Sequence, residues 1–405
     1  MEEWKTNRLG DICNIYGRIG FRGYTTDDLT TDPNDGAISL SPTNIVGGEL
    51  DLNKPTYIKW DKYYESPEIM IKENDIIIVK TGSSVGRTTL IREVTHPMTL
   101  NPQLVVLKNI MINPVFLSYL VKTPKFQGLL KSIIVGSAIP TLSQKNLANL
   151  PIDIPNIEEQ DRIAIILNSI DSKIILNNRI NHNLEQQAQA LYKSWFVDFE
   201  PFKDGNFVDS ELGMIPEGWK VVSLAELMDY SGGSQPPASE FIDEEREGYV
   251  RFVQIRDYYS EGHITYIPIS KKNKLCDVKD IMIARYGASL GRICYGLKGA
   301  YNVALAKVYP KRDYYLEFLR CYLNSRDFYE GINNKGNRAV QAGFNQSDIQ
   351  SFKLAFPLND SLLIHFDHIC SSYFEQRLSL SNESKQLSVT RDLLLPSLMT
   401  GLLQV

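Results

Sequence analysis

Residues 75–87 read DIIIVKTGSSVGR, and residues 280–292 read DIMIARYGASLGR. Both fit the pattern D-I-x-I-x-[KR]-x-G-x-S-x-G-R, and the copies begin 205 residues apart in a chain of 405. A period of half the chain is far longer than the 20–50 residues of a solenoid repeat, so it marks a duplicated domain. Two similar halves on one chain suit a ligand with two similar or sequential parts.

Other landmarks pair in the same order. Trp4 and the Leu9-Gly10-Asp11-Ile12 run match Trp219 and Leu224-Ala225-Glu226-Leu227; Asn101 and Leu104 match Asn302 and Leu305. Phe116-Leu117 with Tyr119-Leu120 matches Phe318-Leu319 with Tyr322-Leu323, and LPIDIP at 150–155 matches FKLAFP at 352–357. The offset drifts from 215 to 202, as short surface-loop insertions allow. Within each copy, Ile76–Val79 and 281–284 are short apolar runs ending in a glycine-rich turn, which predicts strands. Residues 113–130 and 314–329 carry apolar side chains at helical spacing, 136–150 and 336–351 read as loops, and a strand closes each unit.

A different pattern follows each unit. Residues 158–196 contain no proline or glycine, and Ile163, Ile170, Asn177, Leu184 and Leu191 fall on one heptad position. Phe366, Tyr373, Leu380, Leu387 and Leu394 repeat with the same period after the second copy. The other core position is mixed, with Lys173, Gln187, Gln376, Glu383 and Thr390 among its members. A seven-residue apolar repeat keeps one seam facing a partner helix, so the two helices are expected to pair antiparallel, with Asn177 fixing register. Amphipathic helices on one globular core would carry a similar stripe. Between the halves, residues 198–219 hold Pro201, Gly205, Gly213, Pro216 and Gly218 and read as a linker.

The expected organisation is therefore α+β: two similar mixed α/β domains at 1–155 and 215–357, long helices at 156–197 and 358–405, and a linker at 198–214. Net charge is −5, which by itself argues against nucleic acid. Its distribution softens that: residues 1–155 hold 16 basic and 16 acidic side chains, and 215–357 hold 19 and 17. The acidity lies in 156–214 (5 basic, 10 acidic) and 358–405 (3 and 5). No apolar run approaches the 18 residues of a membrane span and the N-terminus lacks a basic leader, so a cytoplasmic protein is expected. Cys13, Cys276, Cys294, Cys321 and Cys370 are scattered, as reduced structural thiols are. His365 and His368 lie three apart without a further ligand at metal spacing, so no metal site is expected.

Several strings resemble the specificity subunit of type I DNA restriction–modification systems. They are Pro155 with Glu158-Glu159-Gln160 and Arg162-Ile163, LYKSWFVDFEP at 191–201, Gly213 with Ile215-Pro216 and Gly218-Trp219, and RDLLLPSLMTG at 391–401. The resemblance spans essentially the whole chain. It implies two target-recognition domains related by a pseudo-twofold repeat, spaced by an antiparallel coiled coil, each reading half of a bipartite, asymmetric sequence in double-stranded DNA. It further implies two docked methyltransferase subunits, with two restriction subunits completing the nuclease. The subunit itself would have no catalytic centre and no cofactor; S-adenosylmethionine, ATP and magnesium would belong to the partners. The residues agree: there is no G-x-x-x-x-G-K-[ST], and Asn101-Pro102-Gln103-Leu104 and Asn113-Pro114-Val115-Phe116 both lack the second proline of an amino-methyltransferase motif.

The repeated turn offers backbone N–H groups, hydroxyls and a guanidinium that suit phosphate oxygens. Lys80, Ser83, Arg87, Arg285, Ser289 and Arg292 are the phosphate candidates, with Lys271 and Lys272 on a basic turn. A tight turn whose glycines serve only the backbone is the competing reading. Base reading needs polar side chains on exposed loops, for which Ser41, Asn44, Ser137 and Thr141 in the first copy and Arg256, Asn337, Arg338 and Gln341 in the second are candidates. Two rival functions stay open on the residues alone: an enzyme cradling a nucleotide phosphate in these turns, and a coiled-coil assembly scaffold.

Overall fold

The computed structural model describes residues 4–18, 23–136, 140–260, 262–336 and 343–403. By contact the chain forms two units, Met1–Ile175 with Ser384–Val405, and Leu176–Glu383. The division falls inside both long helices.

In the first unit, strands Asn14–Tyr16, Leu104–Lys108, Ile76–Val79 and Thr88–Leu90 lie side by side in that order. A second sheet has the order Met98–Leu100, Gly36–Leu40, Tyr57–Lys59, Leu29–Thr30. The IIIV run is buried on both faces, and its side chains alternate as a strand requires. Ile76 and Ile78 enter the core beneath the helices, while Ile77 and Val79 enter the core between the sheets. The second unit repeats the first sheet with Met228–Gly232, Leu305–Pro310, Met282–Ala284 and Ile293–Cys294. Its other sheet runs Tyr266–Pro268, Tyr249–Val253, Gly299–Tyr301, Leu275–Cys276. Both second sheets keep one parallel pair, Met98–Leu100 on Gly36–Leu40 at an edge of the first and Gly299–Tyr301 on Tyr249–Val253 at the centre of the second. They differ in which edge carries the fourth strand.

The repeated aspartate has a structural reason. Asp75 Oδ2 accepts from Lys72 N at 2.8 Å and from Lys108 Nζ at 2.7 Å; Asp280 Oδ2 accepts from Asp277 N at 2.6 Å and lies 2.5 Å from Lys307 Nζ. Each carboxylate closes the turn before its strand and pins the neighbouring strand.

Three expectations need correction. The helical spacing at 113–130 resolves into two helices, Pro114–Leu120 and Pro124–Ser132, because Thr123 caps the second and Pro124 occupies its first turn. Likewise 314–329 becomes Leu316–Leu323 followed by Arg326–Gly336. The stretches read as loops each contain a short helix, Gln144–Ala148 and Gln346–Gln350, capped by Ser143 and Asn345. The linker is also partly built: Phe207–Val208 pairs with Ile215–Pro216, and Phe199 and Phe202 pack edge-on against Trp219 at 5.1 and 5.4 Å.

The long helices are Ile157–Tyr192, continued by one π turn at Lys193–Val197, and Asp360–Leu398. In the second unit they run antiparallel: Asn177 donates to Glu383 at 2.8 Å, Asn181 to Ser381 at 3.0 Å, and Arg377 lies 3.0 Å from Glu185. In the first unit Arg391 donates to Asp171 at 2.8 Å. Asn177 is fully buried, so the polar exception in the seam is a paired residue inside it.

The heptad seam is only part of what these helices bury. Leu363, Phe366 and Cys370 join the core of the second unit, together with Tyr192 and Phe196. Ile163, Ala164, Leu167, Leu398 and Met399 join the core of the first, with Leu9 and Phe116. Spacings of three and four track a straight helix lying on a core; a strict seven-residue seam drifts about 20° per heptad away from that face. The five cysteines are free and buried, and burial pushes the Cys13 thiol up to about 12. His365 stacks on Trp195 at 5.6 Å, a packing role.

Candidate nucleic-acid interface

The two repeated turns have the same backbone. Gly86 N donates to Val79 O and Val79 N to Arg87 O, both at 2.9 Å; Gly291 N donates to Ala284 O and Ala284 N to Arg292 O at the same distance. Val85 and Arg87 close inner turns onto Gly82 and Ser84, as Leu290 and Arg292 do onto Gly287 and Ser289. Gly86 and Gly291 sit at φ +89° and +79°, where a side chain is strained. The space around Gly291 adds to this, because a Cβ there would lie 2.4 Å from Ile332 Cγ2, whereas Gly287 faces open space. Gly291→Ala should therefore cost at least about 2 kcal/mol and Gly287→Ala about 1 kcal/mol, as a chemical denaturation series on both variants would register.

This geometry narrows what the turn can offer a ligand. The N–H groups of residues 85–87 and 290–292 are consumed inside the turns, and Gly82 N donates to Pro140 O at 3.1 Å. The expected cradle of N–H groups is thus largely spent on the backbone. Side chains remain. Ser83 and Arg87 are exposed, and the Arg87 guanidinium meets no partner among the described residues. Lys80 is half-buried, and burial lowers its ammonium pKa.

Each turn is flanked by the same neighbours. Lys80 N bonds Gln103 O and Leu142 N bonds Lys80 O, both at 2.8 Å, which places residues 101–103 and 140–142 on either side. Thr81 bridges Thr141. In the second domain Arg285 N bonds Ala304 O at 2.8 Å and Tyr286 bridges Gly343. Ser137, Asn337, Arg338 and Gln341 lie outside the described residues.

A third element is a capped 3-10 turn, Pro42–Asn44 in one domain and Ile255–Tyr258 in the other. Asn44 Oδ1 accepts from Ser41 N, and Asp257 Oδ2 accepts from Gln254 N, each at 2.9 Å. Asn44 is 6% exposed and also donates to Asp51 O, so it shapes the turn and presents no free amide to a base. Ser41 is engaged with Thr43 and Asn44. The exposed positions of these turns are Thr43 and Arg256; the Arg256 fork reaches Thr265 at 3.3 Å. Lys271 and Lys272 sit on the exposed connection between strands Tyr266–Pro268 and Leu275–Cys276 of the other sheet.

Aromatic rings distinguish the second domain. The Arg292 guanidinium lies 3.5 Å from the centre of the Tyr259 ring, and Arg285 lies 5.0 Å from that of Tyr286. Residues 259 and 292 are too far apart in sequence for any spacing rule to pair them.

The family model for the type I restriction modification DNA specificity domain matches residues 1–186 and 216–368. The chain belongs to this family. As a specificity subunit with two target-recognition domains, it is 27% identical to the type I restriction enzyme MjaIX specificity subunit of Methanocaldococcus jannaschii, covering 100% of this chain and 94% of the relative. It is 25% identical to the HindI specificity subunit of Haemophilus influenzae, over 99% and 100%. The crystal structure of the type I restriction–modification S subunit from M. genitalium shares the fold, with a TM-score of 0.61 at 16% identity over 98% and 96% of the two chains. Among its described residues the specificity subunit has no group of three or more potential metal ligands, and no helix is long and apolar enough to cross a membrane.

Proposed function

We propose that each target-recognition domain of this subunit reads one half of a bipartite, asymmetric duplex sequence, and so directs adenine methylation or restriction by partner enzymes. One observation carries this reading: each domain presents the same backbone turn beside a capped 3-10 turn and a neighbouring loop, while the side chains on that common frame differ. A frame held constant by backbone bonds and decorated differently is what two readers of different half-sites need. The partners in this reading are double-stranded DNA, two methyltransferase subunits and, for cleavage, two restriction subunits, in the cytoplasm. S-adenosylmethionine, ATP and magnesium are held by those partners.

The test uses the full-length chain assembled with an adenine methyltransferase of a type I system, on a duplex pool randomised over about 20 base pairs, two helical turns. Two enriched blocks separated by a constant gap are expected; recovery of a random pool would sink the reading. Arg87, exposed on its turn, is assigned to phosphate. Arg87→Ala should weaken selected and random duplex alike and lower the slope of log K against log salt by about 1. Anisotropy titrations at several salt concentrations measure this, and a loss confined to the selected duplex would make Arg87 a base reader.

A further inference from the structure

The repeated string ends in arginine in both domains, but the two side chains live in different surroundings. Arg87 is exposed. Its counterpart Arg292 is half-buried and lies flat enough on Tyr259 to bring its guanidinium carbon 3.5 Å from the ring centre. Both halves of this stack rest on rigid backbone. Arg292 is held in its turn through Ser289 O and Ala284 N, and Tyr259 caps the Ile255–Tyr258 turn by donating to Arg256 O at 2.9 Å. The Tyr259 hydroxyl lies 3.5 Å from Ser289 Oγ, on the same turn as Arg292, while the ring remains 63% exposed. Among its described residues the first domain shows no such platform under Arg87: Val46 stands two residues after Asn44, as Tyr259 stands two after Asp257.

Holding a guanidinium flat matters because an arginine's rotamer entropy opposes fixing it on a base edge. A stacked fork has lost much of that freedom before DNA arrives; Arg292 Nη1 is buried without a hydrogen-bond partner, so the two-donor edge left for a base is the one through Nε and Nη2. Such a fork fits the O6 and N7 acceptors of guanine in the major groove, where two parallel hydrogen bonds discriminate against other bases. A phosphate needs no such rigidity, since its charge is met from many directions.

From this geometry we infer that Arg292, laid on Tyr259, reads a guanine in the half-site bound by the second domain, whereas Arg87 contacts backbone phosphate. The same motif position then does different work in the two halves. This rests on the bipartite reading proposed above.

The experiment repeats the duplex selection with Arg292→Lys and Tyr259→Leu in the full-length chain assembled with the methyltransferase. Arg292→Lys keeps the charge and removes the fork; Tyr259→Leu keeps the fork and removes its platform. Both variants should lose preference for guanine at one position of one block, by roughly 10- to 100-fold for Arg292→Lys and less for Tyr259→Leu, with the other block unchanged. Thermal melting of each variant checks that the fold is retained, and wild-type selection checks the underlying reading separately. If wild type selects two blocks and Arg292→Lys returns the same two with undiminished enrichment, the inference is overturned. An equal fall in binding to selected and random duplex would overturn it too, by making Arg292 a phosphate contact like Arg87.

Discussion

Replacing Asp171 by Asn is expected to lower the stability of the first unit by about 3 kcal/mol, the cost of breaking a buried ion pair by removing one partner. Asp171 is 4% exposed, and it accepts from the Tyr119 hydroxyl at 2.5 Å and from Arg391 Nη1 at 2.8 Å. Arg92 lies 3.9 Å away and also bonds Asn168, so two half-buried guanidiniums share this one carboxylate. Burial and the bond to Asp171 push the Tyr119 hydroxyl well above its ordinary pKa, so it stays a donor at any physiological pH. Without the charge, both arginines lose their most buried carboxylate and keep only more exposed ones, Asp392 at 2.8 Å for Arg391 and Glu49 at 3.7 Å for Arg92. For a unit of this size the melting temperature should fall by roughly 6–12 °C. Tyr119→Phe removes one donor and should cost only about 1 kcal/mol. Calorimetry on the two variants decides: equal small shifts would mean that the carboxylate is not the hub of this cluster.

The second large effect is expected at Phe366. It is fully buried, and its ring lies 5.0 Å from Phe196, 5.9 Å from Trp195 and 6.4 Å from Tyr192. Phe366→Ala should cost about 3–5 kcal/mol, through lost burial and the cavity left behind. Tyr373, one heptad later, is only partly buried, and Tyr373→Ala should cost about 1–2 kcal/mol. The contrast separates two views of the long helix. If it were simply one strand of a coiled coil, the two heptad positions would matter alike; because Phe366 also belongs to the core of the second unit, it should matter far more. Urea titrations of both variants, followed by tryptophan fluorescence, would show which view holds.

Much of this was open to sequence reasoning because it rests on short-range periodicity. The IIIV run, the glycines at fixed places in each turn and the uninterrupted helical stretches are local patterns, and duplication displays each of them twice. The split at Thr123-Pro124 was legible too, since proline favours the first turn of a helix. The candidate site was less legible. Asn44 has the composition of a base reader, yet its amide closes its own turn, and only the hydrogen bonds reveal it. Asp257 takes the same role in the second domain with a different side chain. The Tyr259–Arg292 stack depends on where two separate turns come to rest.

By itself, the sequence determined a duplicated mixed α/β domain, two long antiparallel helices and membership of a DNA specificity family. The domain and the helices follow from strand alternation, helical period and a repeated order of motifs, all properties of neighbours along the chain; the family follows from the resemblance of particular strings. Tertiary structure alone decided that Leu398 and Met399 complete a core with Leu9 and Phe116, and that Tyr192 and Phe196 complete the other. It also decided that one arginine of the repeated string lies on a tyrosine ring while its twin stands in solvent. The physical reason is common to both: burial and stacking energies depend on which surfaces meet, and residues hundreds of positions apart leave no periodic trace of the partner they will find.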